Sequence, residues 1–270
     1  MIHRNLDKFY TNPEIVNLVI SKIKQFITIT EKDLIIEPSA GSGVFIESIK
    51  KLSKNYIFLD IHPENTVISQ GDYTKFNYTK LNDDIKVHVI GNPPFGKQSS
   101  LALKFIKHSC IFSDTISFIL PLSFKKQSMQ NKIPLNFHLI YELELPLNSF
   151  TLNDKIYNVP CVFQIHVKKD TKRTIEKLNS NYFEFVKREE NPCISLRRVG
   201  FYTGEITTDY LHKSTQSHYF IKFNNEKYKR ILLNNKDKLI FECRNYTVGS
   251  RSISKQDVFK EFNELIEKNS

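Results

Sequence analysis

Four consecutive residues, Asn92, Pro93, Pro94 and Phe95, directly follow an apolar run at residues 85–91. The Asn92 side-chain oxygen and the Pro93 carbonyl can each accept one N–H of an amino group, and the two prolines fix the backbone that carries them. Phe95 offers a flat face for a ring. Two such acceptors suit an amine conjugated with a ring or an amide, because they draw its lone pair out of conjugation. The segment therefore predicts methyl transfer to such an amine, although a Pro-Pro turn that ends a buried strand has the same composition.

A second segment, residues 33–45, has the pattern of a short buried strand, a turn of small residues and the start of a helix. The strand ends at the acidic residue Glu37, and the turn contains Pro38, Ser39, Ala40, Gly41 and Gly43. Small residues let a ligand lie against the backbone at the carboxyl end of a strand. The dinucleotide pattern Gly-x-Gly-x-x-Gly is absent, and an acid at this strand end suits a cationic cofactor better than a pyrophosphate.

Acidic residues also end the next two predicted strands. Residues 56–60 form a strand that ends at Asp60, which is placed to accept both hydroxyls of a ribose. Residues 66–73 form another, with Asp72 as a candidate acceptor for the exocyclic amine of an adenine and Tyr73 as an aromatic neighbour. A single carboxylate of this kind is typical of a solvated loop. The prediction of a site therefore depends on all of the strand ends together.

Near the N-terminus, Tyr10 and Thr11 precede a strong helix start. Asn12 as the N-cap and Pro13 at the first helical position predict a helix with one apolar face that reaches Phe26. Backbone N–H groups at this helix start are placed to receive a carboxylate.

In order and spacing, residues 7–16, 35–45, 60, 71–72 and 91–95 resemble the amino-methyltransferases that use S-adenosylmethionine. The resemblance is to the N6-adenine group, with cofactor motifs first and target recognition last, and it covers about the first 165 residues. It implies that the catalytic residues are Asn92, Pro93, Pro94 and Phe95. It implies that the cofactor contacts are Tyr10, Thr11, Glu37, Pro38, Ser39, Ala40, Gly41, Gly43, Asp60, Ile61, Asp72, Tyr73 and Asn92. It implies that Phe95 and Phe150 contact the substrate. Lys97 is a further candidate, and so are Arg197 and Arg198, which lie in a later segment where interleaved Arg and Tyr suit phosphate contact and base stacking.

The resemblance also implies an α/β fold of the class I, Rossmann-like type, with a doubly wound, mostly parallel sheet and a late antiparallel hairpin. Residues 1–167 would form the catalytic domain, and residues 168–270 a small basic region for target recognition or capping. Apolar patterns agree with this fold, because they predict a helix at residues 99–112 and strands at residues 115–120, 137–145 and 160–167. Residues 148–158 have the composition of a loop over the site. The later patterns predict strands at 194–204 and 218–223 and a helix at 256–268.

Charge and cysteine content narrow the class of protein. The 270 residues carry a net charge of +10, and from Val167 onward there are 21 basic and 14 acidic residues. This excess favours a phosphate-binding face, although Lys-rich composition from an AT-rich genome would produce the same charge. The four cysteines lack paired metal spacing, and there is no signal peptide or long apolar span. These features predict an intracellular, cytoplasmic protein, or one in the host cell of a phage or virus, with no metal and no membrane span.

The predicted function is that of an enzyme that transfers a methyl group from S-adenosylmethionine to N6 of adenine in nucleic acid, with DNA favoured. Three alternatives remain open: an RNA adenosine, including the cap-adjacent one; protein glutamine N5, whose amide poses the same lone-pair problem; and an inactive nucleic-acid-binding relative. Phe95 stands where Tyr is commoner in this family, which keeps the stacking face. The region after residue 166 is short for a domain that reads a long DNA sequence by itself.

Overall fold

The computed structural model describes residues 10–270 except for 81, 83, 153, 154, 176 and 248. Residues 7–9, which are part of the family resemblance, lie outside this range. The chain divides into two compact units, Met1–Thr174 and Ile175–Ser270. The boundary therefore follows Thr174 rather than Val167, because Arg173 still belongs to the first unit, where its guanidinium donates to the carbonyls of Gln130, Ile133 and Phe137.

The described residues of the first unit form ten strands and four α-helices. The strands are β1 (Tyr10–Thr11), β2 (Leu34–Glu37), β3 (Asn55–Asp60), β4 (Ser69–Gln70), β5 (Val87–Gly91), β6 (Thr115–Pro121), β7 (Phe137–Glu144), β8 (Phe150–Leu152), β9 (Lys155–Tyr157) and β10 (Cys161–Lys168). The helices are α1 (Pro13–Phe26), α2 (Ile46–Lys50), α3 (Ser100–Ser109) and α4 (Gln127–Gln130).

Seven of these strands form the central sheet, in the order β4-β3-β2-β5-β6-β10-β7. The pairs from β4 to β6 are all parallel, whereas β10 is antiparallel to both of its neighbours. The chain winds outward from β2 through β3 and β4, then returns to β5 and winds the other way. The predicted doubly wound sheet with a late antiparallel hairpin is confirmed. Its switch point, the crevice where open α/β sheets bind ligands, lies at the carboxyl ends of β2 and β5.

Helix α1 begins where the sequence predicts. The side chain of Asn12 accepts a hydrogen bond from the N–H of Glu14 at 3.1 Å, and Pro13 occupies the first turn, where no backbone donor is needed. The apolar face at Ile15, Val16, Val19, Ile20 and Ile23 is buried in the core.

Two predictions of local structure in this unit were wrong. The expected loop at residues 148–158 contains β8 and β9, which form a hairpin that pairs through β8 with β1, with Thr11 opposite Phe150. The pairing is between distant parts of the chain, which a local pattern cannot reveal. The strand expected at residues 66–73 is confined to β4, because Asp72 instead caps a short 3-10 helix, Tyr73–Lys75.

The second unit has its own sheet and its own hydrophobic core. Its elements are β11 (Phe183–Val186), β12 (Ile194–Arg197), β13 (Ile206–Thr207), β14 (His218–Phe223), α5 (Glu226–Asn235) and α6 (Lys255–Lys268). The strand order is β11-β14-β12-β13, and every pair is antiparallel. A capping box between Ser254 and Asp257 starts α6. The strand predicted at 194–204 ends at Arg197, because Gly200 and Gly204 both have φ of +100° and turn the chain.

The shifted boundary changes the distribution of charge. Lys168, Lys169, Lys172 and Arg173 belong to the first unit, so residues 175–270 carry 17 basic and 13 acidic residues, a net charge of +4 rather than the +7 counted from Val167. The positive charge is therefore shared between the units. A phosphate-binding role for the second unit depends on where its cations lie, not on their number.

Candidate active site

A cavity of about 330 Å³ lies at the carboxyl ends of β2, β3 and β5. Twelve residues singled out in the sequence line it: Tyr10, Pro38, Ser39, Gly41, Asp60, Ile61, Asp72, Tyr73, Asn92, Pro93, Pro94 and Phe95. They come from separate parts of the chain, and all except Tyr10 follow or border a strand that ends at this edge of the central sheet, whereas Tyr10 lies in β1. The switch point of the sheet is thus the place where the predicted residues converge.

Asn92 is held by a contact from the N-terminal segment. Its Nδ2 donates to the Thr11 hydroxyl at 3.2 Å, and its backbone carbonyl accepts from the Ser39 hydroxyl at 3.0 Å. The side-chain oxygen Oδ1 is buried and has no hydrogen-bond partner among the described residues. A buried acceptor without a partner costs roughly 1–3 kcal/mol.

The backbone at Phe95 and Gly96 is held by the conformation of Gly96 and by hydrogen bonds from α3. Gly96 has φ of +67°, and a Cβ at this position would lie 2.7 Å from the Cβ of Leu101, so only glycine fits. The carbonyl of Phe95 accepts hydrogen bonds from the N–H groups of Leu101 and Ala102 at 3.1 and 3.2 Å. These contacts hold Phe95 at the cavity wall.

Glu37 ends β2 and lies behind the cavity wall rather than on it. The residue is 1% exposed, and its Oε2 is buried without a partner in the part of the chain that the structure describes. Burial raises the pKa of this carboxyl to about 8, and the nearby Asp60 adds to the effect. A Cβ on Gly91, whose φ is +153°, would lie 3.3 Å from the Glu37 Cγ. Glycine at position 91 therefore leaves room for the Glu37 side chain. With its raised pKa, this carboxyl group ionises readily only beside a positive charge.

Asp60 connects two loops at the cavity. Its Oδ2 accepts from the N–H of Gly41 and its Oδ1 from the N–H of His62, both at 2.8 Å. Gly41 has φ of +53°, which brings its N–H toward β3. Each carboxylate oxygen has a second lone pair, so Asp60 can still accept the hydroxyls of a ribose.

Asp72 and Tyr73 border the cavity in different ways. Asp72 accepts from the hydroxyl and the N–H of Thr74, at 2.8 and 2.9 Å, and the hydroxyl contact is the main reason that its pKa is lowered. Tyr73 is buried, and its hydroxyl pairs with that of Ser109 at 2.7 Å. Its ring packs 5.1 Å from that of Phe105, so it belongs to an aromatic cluster rather than standing free for a ligand ring.

Several predicted residues do not line the cavity. Thr11 reaches it only through Asn92, while Ala40, Gly43 and Lys97 lie outside the lining. Phe150 is fully buried in the core of the first unit, so it does not offer the exposed face that stacking on a base requires. Its burial results from the pairing of β8 with β1.

Arg197 and Arg198 lie in the second unit, and both make contacts there. Arg197 donates through Nε to the carbonyl of Val199 at 2.9 Å. Arg198 donates through Nε and Nη2 to the carbonyl of Gln216, and its guanidinium lies 5.5 Å from the Tyr219 ring centroid. Each guanidinium carries five N–H donors, so both keep donors for phosphate.

The sequence analysis missed several cavity residues, namely His62, Glu64, Thr74, Leu101, Lys104 and Phe105. Tyr10 anchors one of them, because its hydroxyl donates to Glu64 Oε1 at 2.7 Å. Lys104 donates to the Thr74 hydroxyl at 3.1 Å. Leu101 and Phe105 belong to the helix predicted at residues 99–112, and only the placement of α3 shows that they also border a cavity.

The lining can be tested against the cofactor implied by the family resemblance. Asp60, Glu64 and Asp72 are acidic, and Lys104 is the one lysine or arginine among the described lining residues. This balance suits a cation that carries ribose hydroxyls and disfavours a pyrophosphate. The buried Glu37 carboxyl would add to the preference in its ionised form, which a nearby positive charge favours. The residues therefore fit S-adenosylmethionine, with Asp60 for the ribose, Asp72 for the adenine amine and the Gly41 loop against the backbone of the pocket.

Similarity to known proteins is found in structure and not in sequence. No protein-family model matches the chain, and no curated protein sequence matches it. A Pyrococcus horikoshii protein assigned provisionally as an RNA methyltransferase is 18% identical, with a TM-score of 0.49 over 60% of this chain and 87% of that one. A protein of Vibrio vulnificus assigned provisionally as a type I restriction modification subunit is 13% identical, with a TM-score of 0.47 over 62% of this chain and 46% of that one. A dimethyladenosine transferase from Plasmodium falciparum is 18% identical, with a TM-score of 0.44 over 60% and 64%.

Among the described residues, no group of three or more His, Cys, Asp or Glu is arranged to hold a metal ion. No helix in the described part of the chain is both long enough and apolar enough to span a bilayer.

Proposed function

We propose that the protein is an S-adenosylmethionine-dependent methyltransferase that acts on the N6 amino group of adenine in nucleic acid, with DNA as the first substrate to test. The observation that carries the proposal is the unpartnered, buried Oδ1 of Asn92, next to Pro93, Pro94 and Phe95 at the wall of an acidic cavity. An acceptor in that position, with a rigid carbonyl and an aromatic residue beside it, matches the needs of a planar amine.

The chemistry of this amine explains the residue types. When bound, S-adenosylmethionine supplies an electrophilic methyl group. The N6 lone pair of adenine is delocalised into the ring, so the nitrogen attacks only if that conjugation is broken. Asn92 Oδ1 and the Pro93 carbonyl would each accept one N–H, which favours a tetrahedral nitrogen with its lone pair directed away from the ring.

The fate of the proton explains why the acceptor is an amide. As the nitrogen gains a methyl group it must lose one of its two protons. A carboxylate at position 92 would bind that proton, whereas a neutral amide only accepts a hydrogen bond and leaves the proton free to pass to water. Because Oδ1 is closed off before a substrate binds, Asn92 has to turn from its position beside Thr11 to engage the amine. The adenine itself must be taken out of its stack to reach the wall.

The proposal is tested by incubating the protein with methyl-labelled S-adenosylmethionine and with DNA, RNA and protein substrates, followed by nucleoside and amino-acid analysis. DNA and RNA strands of identical sequence give a direct comparison of the two nucleic acids. The expected product is N6-methyladenine from a DNA strand. Label in N6-methyladenosine alone would assign the RNA substrate, and label in N5-methylglutamine would assign protein. Failure to bind S-adenosylmethionine in calorimetry would contradict the proposal as a whole.

A further inference from the structure

The second unit exposes two large aromatic side chains side by side. Phe201 is 77% exposed and Tyr202 is 66% exposed, and both lie in the turn at residues 200–204, here called the aromatic turn. Their ring centroids are 5.2 Å apart with an interplanar angle of 85°. Single exposed apolar residues are ordinary, but two adjacent aromatic rings on one turn form a contiguous apolar surface that faces water.

The aromatic turn is built to be rigid. Gly200 and Gly204, both at φ of +100°, bound it, and their N–H groups donate to the carbonyls of Arg251 and Arg197 at 2.9 and 2.8 Å. Inside the turn, the buried Thr203 donates through its hydroxyl, which lies 2.6 Å from the Gly200 carbonyl and 3.1 Å from that of Arg251. A preorganised aromatic pair loses little conformational entropy when it stacks on a ligand.

Three arginines surround the turn. Arg251 places its guanidinium 5.7 Å from the Phe201 ring centroid, Arg244 donates to the Thr203 carbonyl at 3.5 Å, and Arg197 donates to the Val199 carbonyl at 2.9 Å. None of the three forms a salt bridge with a described acidic residue. Glu205 directly follows the turn, and its N–H donates to the Tyr202 carbonyl. The local charge is therefore positive and available to an anion.

We infer that the aromatic turn binds unpaired bases of a single-stranded stretch of the nucleic-acid substrate, with Phe201 and Tyr202 stacking on the bases and the arginines contacting the phosphates. Exposed aromatic faces bordered by guanidinium groups match the two parts of a nucleotide chain. Unpaired bases are the ligand because the base faces of a duplex are covered by their neighbours. This inference rests on the proposed function only for the class of the substrate, and the experiment below does not depend on methylation.

The absence of tryptophan from the chain allows a direct test. In the Tyr202→Trp variant, one indole reports on the turn, and its fluorescence should be quenched when a short single-stranded DNA binds. The same strand made of abasic sites should bind more weakly and should not quench. The Ile111→Trp variant, at a site 72% exposed in the first unit, is the matched control and should show no quenching by stacking. Equal quenching of both variants, or equal affinity for the abasic strand, would overturn the inference.

Alanine variants supply a second measurement. Phe201→Ala and Tyr202→Ala should each weaken binding of the single strand by about 5- to 150-fold, the range for loss of one base stack. Because both side chains are exposed, circular dichroism and the unfolding temperature should be unchanged. Wild-type affinity in both variants would overturn the inference, and so would a change of oligomeric state in sedimentation without a change in DNA binding. If the turn stacks on bases but no strand is methylated, the inference stands and the proposed function fails; methylation without stacking gives the reverse result.

Discussion

Replacement of Asn92 by alanine should nearly abolish methylation without destabilising the protein. Loss of one preorganised donor or acceptor that acts on the transition state typically lowers turnover by about 10²- to 10³-fold, which is about 2.7–4 kcal/mol. Affinity for S-adenosylmethionine, measured by calorimetry, should stay near that of the wild type, because Asn92 is proposed to act on the amine. The assay is single-turnover transfer of labelled methyl groups to an adenine-containing strand, which isolates the chemical step from product release.

The effect on stability follows from the hydrogen bonds of Asn92. In the wild type, the buried Oδ1 acceptor lacks a described partner, which destabilises the fold by roughly 1–3 kcal/mol, and the variant removes this acceptor. It also loses the hydrogen bond to Thr11, which contributes about 0.5–1.5 kcal/mol. The free energy of unfolding should therefore change by between about −0.5 and +2.5 kcal/mol. A catalytic loss without a stability loss is the signature of a residue kept for chemistry.

Thr11→Val is the matched control for positioning. It removes the hydroxyl that receives Asn92 Nδ2 and leaves the Asn92 amide in place. Turnover should stay within about 10-fold of the wild type, because the only contact removed is one neutral hydrogen bond that Asn92 gives up when it engages the amine. Near-normal methylation by Asn92→Ala would refute the proposed mechanism. A loss of more than about 2 kcal/mol of stability in that variant would instead make Asn92 a structural residue.

Three further predictions concern charge. Because burial raises the pKa of Glu37 to about 8, folding favours the protonated form of its carboxyl. The free energy of unfolding should therefore fall as pH rises from about 5 toward 8, and affinity for the sulfonium cofactor should rise over the same range. Glu37→Gln should flatten both pH dependences, and identical pH profiles in the variant and the wild type would contradict this. Asp60→Ala should weaken cofactor binding by about 1.5–3 kcal/mol in calorimetry. It should also lower the unfolding temperature, because the N–H groups of Gly41 and His62 lose their acceptor. Unchanged affinity for the cofactor would remove Asp60 from the site. Neutralising Arg197 and Arg198 should reduce the salt dependence of nucleic-acid binding by about one unit per lost phosphate contact, and an unchanged slope would show that they do not contact phosphate.

The sequence by itself was sufficient to locate most of the cavity. Strand ends and turns have a local signature, since a buried strand followed by small residues, an acid or a proline reads the same in any tertiary context. Asp60 and Asn92 were identified in this way, and both line the cavity. The start of α1 was equally local, because Asn12 and Pro13 satisfy the needs of a helix terminus without help from the rest of the chain.

The limits of the two units required the tertiary structure. The sequence boundary after Val167 followed the end of a strand, but the side chain of Arg173 binds carbonyls far back in the first unit. The same shift removed much of the apparent excess of charge from the second unit. Hydrogen bonds between segments that are distant in sequence leave no periodic signal, and so neither result was predictable from the pattern of residues.

The tertiary structure alone also decided the states of the site residues. Thr11 and Asn92 are 81 positions apart, and their contact exists only because β1 and β5 meet at the same cavity. The raised pKa of Glu37 is a consequence of complete burial, which no strand pattern specifies. Phe150 was predicted to face a base, but the pairing of β8 with β1 buries it. Sequence determined which chemical groups are present at the strand ends, while packing determined which of them are partnered, ionised or exposed, because those properties depend on neighbours brought together only by the fold.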